Sequence, residues 1–210
     1  MLNPFENRAL VERYEAWYET TGRRADRLEK SLFQRLLTEF PLARTILEVG
    51  CGTGHFTRWL GERGLQPVGL DLSLSMLEEA RHLRSPFCLQ GDALMLPFCS
   101  ASFDLVILIT TLEFISDPVQ ALDEAIRVAR QGLLLGVLNA QRHLGRQYKR
   151  EGGPIWEVAR FFTMGGLKRM IQEVAGKNPK VVWRTTLWPL WPGVLPFSWG
   201  GFIGIAVKLS

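Results

Sequence analysis

The stretch Thr45-Ile46-Leu47-Glu48-Val49-Gly50-Cys51-Gly52-Thr53-Gly54-His55-Phe56 sets a short apolar run directly ahead of three glycines at alternate positions. It reads as a strand, a tight loop and a helix over Phe56 to Arg63. Glycine tolerates positive φ and lacks the Cβ that would hold a ligand off the backbone amides, so a ligand can lie against the loop itself. The next apolar run, Gln66 to Leu72, delivers Asp71 about 20 positions after the loop. In doubly wound sheets a carboxylate there accepts from a ribose hydroxyl pair. The two features together point to an adenosine-type ligand.

A nicotinamide dinucleotide is the obvious rival, but its fingerprint GxGxxG is missing. The sixth position counted from Gly50 is His55, and counted from Gly52 it is Thr57. The spelling E-V-G-C-G-T-G instead resembles the first motif of the class I S-adenosylmethionine-dependent methyltransferases, in particular the ubiquinone/menaquinone methyltransferase-like (type 11) group. That resemblance implies an α/β fold, a Rossmann-like doubly wound sheet of seven strands in the order 3-2-1-4-5-7-6 with the last antiparallel, preceded by N-terminal helices. It implies S-adenosylmethionine as cofactor and S-adenosylhomocysteine as product. It further implies Glu48 near the ligand's amino group, the Gly50, Cys51, Gly52 and Gly54 loop around the methionine and ribose portion, and Asp71 on the ribose hydroxyls. A glycine turn that serves only strand-to-helix packing is the plain alternative.

The totals bound the rest. A chain of 210 residues suits one domain with a full core; we divide it into an N-terminal helical cap, 1–40, and a methyltransferase domain, 41–210. With 47% hydrophobic and 22% charged residues it is neither disordered nor collagen-like. A net charge of +4 permits an anionic partner without demanding one. Cys51, Cys88 and Cys99 show no C-x-x-C spacing, and His55, His82 and His143 are scattered, so neither a disulfide framework nor a metal site is expected. The start, Met1 to Glu6, shows no signal-peptide pattern, and a cytoplasmic location fits. Leu187 to Val207 carries no charge over a membrane-spanning length. Its prolines and glycines would cost a lone helix ~3 and ~1 kcal/mol each, so it is predicted as a loop and a strand.

Before the glycine loop, residues from Phe5 to about Phe40 form two amphipathic helices broken near Thr21-Gly22, with Leu28, Leu32 and Leu36 at helical spacing. Tyr14, Trp17 and Tyr18 share a helix face and are either plain packing or a pocket lining. By resemblance an aromatic-rich segment ahead of a Gly-Arg caps the cofactor, which assigns Tyr14 as a cofactor contact and Arg23 to the methionine carboxylate. After the loop, Ser73 can N-cap a helix through Met76 to Leu83. Asp71-Leu72-Ser73-x-x-Met76 resembles the family's second motif and lays Leu72 and Met76 by the adenine. Phe87 to Ala93 is a short strand; by resemblance Asp92, with Ala93 beside it, takes the adenine amine, and an ordinary Asx turn is the alternative.

Ser102 to Ile109 is a continuous apolar run, the pattern of a strand buried on both faces. Thr110, Thr111, Leu112, Glu113 and Phe114 follow at its carboxyl end, where open α/β sheets place their sites. Thr110 is assigned to the cofactor and Phe114 to the substrate. Relatives often carry a histidine in this loop; none stands here, and Glu113 is the candidate general base. Asp117-Pro118 opens a helix through Arg130, and Gly132 to Leu138 is a fifth strand leading to Asn139, a substrate candidate. Gln141 to Arg150 is basic, with Arg146 as candidate for an anionic substrate. Met164 to Glu173 is a further helix, and Lys180 to Trp188 and Gly201 to Leu209 are an antiparallel pair. Trp183, Trp188, Trp191 and Trp199 cluster there as core or as the wall of an aromatic acceptor's pocket.

The expected activity is methyl transfer to a small, hydrophobic or aromatic acceptor. An RNA or protein methyltransferase is the enzymatic alternative, although no RNA-recognition module and no N-P-P-Y signature is present. A non-catalytic cofactor-binding partner protein is the other.

Overall fold

The computed structural model describes residues 4–141, 150, 152–153, 155–176, 179–187, 193–197 and 200–209. Two helices come first, α1 (Arg8–Glu19) and α2 (Arg23–Leu37). Then β1 (Thr45–Val49), α3 (His55–Gly61), β2 (Gln66–Asp71), α4 (Leu74–His82) and β3 (Cys88–Gln90) make one half of the sheet. The other half follows with β4 (Phe103–Ile109), α5 (Pro118–Val128), β5 (Ala129–Leu138), α6 (Met164–Ala175), β6 (Lys180–Thr186) and β7 (Phe202–Lys208). The seven strands lie in the order β3-β2-β1-β4-β5-β7-β6, and β7 runs antiparallel to both its neighbours. This is the expected methyltransferase topology.

Alternation along β4 explains the layering. Leu105, Ile107 and Ile109 face one side and pack with Leu32, Phe33 and Leu36 of α2 and Phe56 of α3. Val106 and Leu108 face the other and pack with Leu122 and Ala125 of α5 and Leu167 and Ile171 of α6. Both faces of the central strands are therefore dry, as continuous apolar runs require. The second helix thus belongs to the sheet's core, and it carries Glu29 into that core on the same face as Leu32, Phe33 and Leu36.

Local signals behave as read. Ser73 Oγ accepts from Met76 N at 3.2 Å and caps α4, and Asp117 Oδ1 accepts from Val119 N and Gln120 N ahead of Pro118. One boundary differs from expectation: α5 stops at Val128 instead of Arg130, because Ala129 turns extended and pairs with Phe103 of β4. Arg130 then reaches Asp104 Oδ1 and Ser102 O from the strand. The third strand is also shorter than the run Phe87 to Ala93. Trp183 packs against the core on the α6 side, with Lys168 Nζ 5.6 Å above its ring. Trp188, Trp191 and Trp199 lie outside the described residues. No helix among the described residues is long and apolar enough to cross a membrane.

Candidate active site

The site lies at the carboxyl ends of β1, β2, β4 and β5, where the strand order reverses between β1 and β4. Gly50, Gly52 and Gly54 all have positive φ, at 72°, 54° and 75°. Their surroundings separate them. A Cβ on Gly50 would stand 2.2 Å from Thr111 Cγ2, and one on Gly54 would stand 2.2 Å from Ser85 Oγ. These two glycines let the loop close against its own protein. A Cβ on Gly52 would meet only Met76 Sδ at 3.8 Å and Tyr14 Cε1 at 3.9 Å. Gly52 alone faces open space, roofed by the very methionine and tyrosine singled out in the sequence.

Around that space the carboxylates are organised by backbone donors. Asp71, at the end of β2, accepts from Gly52 N at 2.7 Å through Oδ2 and from Ser73 N at 2.8 Å through Oδ1. Burial pushes its carboxyl up, against the pull of those amides. Glu48 is buried on β1 and accepts from the Thr57 hydroxyl of α3, so its side chain braces the helix behind the loop. Burial pushes it up to about 8. Cys51 is buried, and its thiol and that of Cys88 both lie 2.8 Å from where a Gly69 Cβ would stand; its side chain turns into the β2–β3 packing. Leu72 is exposed, and Met76 is buried beneath α1. Asp92, also exposed, accepts from Leu94 N at 2.9 Å in an Asx turn at the end of β3, with Ala93 between them.

The first helix closes over this arrangement from above. Tyr14 and Tyr18 share a hydroxyl contact of 3.1 Å, and burial pushes Tyr14 up to about 12. Tyr18 stacks on His55, with centroids 3.7 Å apart and planes 9° apart. Phe5 meets Phe114 edge to face at 4.9 Å and Tyr14 at 6.4 Å. Glu15 bonds Thr53 Oγ1 and Arg58, and His55 Nε2 lies 2.7 Å from Asp26 Oδ1, which also pairs with Lys30. Burial works against charge on His55, but Asp26 and Glu15 outweigh it and raise its pKa. Arg23, exposed at the start of α2, lines a cleft of about 360 Å³ beside these groups.

On the β4 side Thr110 sits at φ 50° with its N–H on Gly136 O, and the Thr111 hydroxyl lies within donating distance of Val49 O and Ile109 O, at 3.1 and 3.0 Å. Glu113 is 1% exposed; its Oε1 accepts from Leu138 N at 2.7 Å while its Oε2 has no partner among the described residues. Asn139 is buried, with Nδ2 donating to Gly200 O and Oδ1 accepting from Gln141 N. Arg146 lies outside the described residues. Sequence reasoning passed over Glu29, Glu15, His55 and Phe5. For Glu29 the signal was present: a carboxylate at helical spacing with Leu32, Phe33 and Leu36 lies in an apolar stripe.

Residues 47–135 match the methyltransferase domain family of type 11. Over the full length of both chains, the structure resembles an S-adenosylmethionine-dependent methyltransferase from Thermotoga maritima, described as a possible histamine N-methyltransferase, with a TM-score of 0.84 and 30% identity. An uncharacterized protein of Methanocaldococcus jannaschii is 28% identical over 185 residues, 85% of this chain and 83% of that one. The chain spans only 56% of mycobacterial proteins that it matches at 32% identity. It is 38% identical over 88 residues to the demethylmenaquinone methyltransferase of Renibacterium salmoninarum, 41% of this chain and 37% of that enzyme. The matched segment runs from β1 to β5 and contains the glycine loop, Asp71 and Glu113, and the likeness to the Thermotoga protein runs over the whole of both chains: the chain belongs to the S-adenosylmethionine-dependent methyltransferases.

Proposed function

We propose that this enzyme moves the methyl group of S-adenosylmethionine onto a small acceptor with an apolar or aromatic body. The acceptor sits between the helical layer up to residue 40, acting as a cap, and the carboxyl ends of β4 and β5 in the domain of residues 41–210. The observation that carries this reading is the aromatic enclosure of Phe5, Tyr14, Tyr18 and Phe114 over the glycine loop. Such a roof suits a small molecule and leaves little room for an RNA or a folded protein. The names of the Thermotoga and Renibacterium relatives refer to small, ring-bearing acceptors, which supports the same class.

The residues present fit the cofactor. The open face of Gly52, which a Cβ would fill, takes the methionine and ribose portion, and Asp71 takes the ribose hydroxyls. Leu72, Met76, Asp92 and Ala93 line the adenine side, Tyr14 closes the roof, and Arg23 faces the methionine carboxylate. Thr110 and Phe114 flank the reacting end. When bound, the sulfonium supplies an activated methyl and a neutral leaving group. The chain's own contribution is alignment and exclusion of water, worth about 7–11 kcal/mol in favourable cases.

Incubation with methyl-labelled cofactor and separate metabolite, RNA and protein fractions tests the reading. Label in a small product is expected. Label confined to RNA or protein would overturn it, and tight binding without any label would make the protein a cofactor-binding partner.

A further inference from the structure

No cofactor contact is assigned to two buried carboxylates. Glu113, in the loop after β4, is 1% exposed, and its Oε2 is the buried side-chain polar atom without a hydrogen-bond partner among the described residues. Glu29 of α2 is 7% exposed and likewise has no hydrogen bond or ion pair among them. Burying a carboxylate without a partner is costly. Two such groups on separate elements ask for a common explanation.

The fold brings them to one place. Cβ atoms built on Gly132 and Gly136 of β5 would run into Phe40 and Phe33 respectively, so the segment from α2 to Phe40 tracks antiparallel over β5. One helical turn back from Phe33, about 6 Å, and two residues on from Gly136, about 7 Å, set Glu29 level with Leu138. Leu138 N is the donor that holds Glu113 Oε1 at 2.7 Å. The two carboxylates thus converge at the carboxyl end of β5. In the strand order this is one strand beyond the β1–β4 crevice, on the side away from Asp71 on β2 and Asp92 after β3, and it adjoins Phe114.

We propose that Glu29 and Glu113 together recognise an ammonium group, so that the methyl acceptor of this enzyme is a small amine. The inference rests on the acceptor reading above and narrows its chemistry. The described cations near Glu29 are already engaged, since Lys30 and His55 both bind Asp26; Tyr14, Tyr18 and Asp26 complete the charged and titratable groups facing it. Glu113 faces Glu29. Burial pushes both carboxyls up to about 8, so the unliganded pair is largely protonated at pH 7. An arriving ammonium ionises a carboxyl, whose proton is released; before transfer that carboxylate takes a proton back from the ammonium, so that the neutral amine, with its lone pair free, is the acceptor.

The test is calorimetric titration of benzylamine, phenethylamine and hexylamine, each beside its alcohol isostere, into the protein with and without S-adenosylhomocysteine. Two buffers of different ionisation enthalpy report the proton. At least one amine should bind about tenfold more tightly than its alcohol, as charge-assisted pairing in a dry site provides, with proton release. Glu29→Gln and Glu113→Gln should each remove most of that preference while S-adenosylhomocysteine still binds, since neither side chain is assigned a contact with the cofactor. If Glu113→Gln does not fold, Glu29→Gln and Glu29→Asp decide. Equal binding of every amine and its alcohol overturns the proposal, as does a preference that survives in the variants. So does loss of S-adenosylhomocysteine binding in Glu29→Gln, which would give the pair to the cofactor. Failure of the wild type to bind S-adenosylhomocysteine would instead remove the cofactor assignments; the titration without that ligand still decides the amine.

Discussion

The two sides of the crevice are built on opposite principles. On the β1–β2 side every carboxylate near the glycine loop is already satisfied: Asp71 by Gly52 N and Ser73 N, Glu48 by Thr57, Glu15 by Thr53 and Arg58. On the β4–β5 side Glu113 keeps an orphan oxygen and Glu29 has no bond partner at all among the described residues. A surface that must hold one fixed ligand is pre-organised by its own backbone. A surface that must discriminate among acceptors keeps polar groups in reserve, at a cost in stability.

The sharpest way to break this comparison is inside the loop. Gly50→Ala should destabilise the fold by about 2–5 kcal/mol, combining positive-φ strain with overpacking against Thr111, measured by denaturant unfolding. Gly52→Ala should cost only about 1–2 kcal/mol of stability yet lower S-adenosylmethionine affinity at least about tenfold by filling the ligand's space. If the two variants behave alike, the separation of packing glycine from ligand glycine is wrong.

The buried carboxyls set the pH response on the other side. Glu29 and Glu113 carry raised pKa values in the folded state, so the native protein binds more protons than the unfolded chain between about pH 4.5 and 8. Stability is therefore greatest below that window and falls as pH rises through it. Glu113→Gln should flatten the fall by on the order of 1–4 kcal/mol, read from unfolding curves at pH 5 and 8.5; an unchanged slope would show that its carboxyl stays ionised. Asp71→Ala should weaken S-adenosylmethionine by about 1–3 kcal/mol in calorimetry. The smallest effect belongs to Tyr14→Phe, about 0.5–1.5 kcal/mol in cofactor affinity for one lost hydroxyl interaction. No loss would leave Tyr14 as packing.

The cofactor side was legible because its chemistry is local. A strand, a glycine spacing and a carboxylate one strand later lie within Thr45 to Asp71, and a run of that length states its own geometry. The seven-strand order followed from resemblance, and the apolar run Phe103–Ile109 announced its double burial. What the sequence concealed is what folding joins from afar. Glu29 and Glu113 are 84 positions apart in the numbering, and only the passage of α2 over β5 brings them to the same end of that strand. Likewise three glycines that look equivalent in the sequence divide into two that meet side chains and one that meets space, because Thr111 and Ser85 arrive from later in the chain. The early stop of α5 has the same origin, in the pairing of Ala129 with Phe103.

The segment from Phe5 to Glu15 is fastened at both ends. Ser73 Oγ donates to Phe5 O and Leu74 N to Glu6 Oε1 at one end, while Glu15 holds Thr53 and Arg58 at the other. A molecule lodged under Tyr14 cannot depart until one fastening lets go. The residence time of such a molecule would then be set by a few polar contacts. Because the Glu15 end is ionic, that residence should shorten as salt is added.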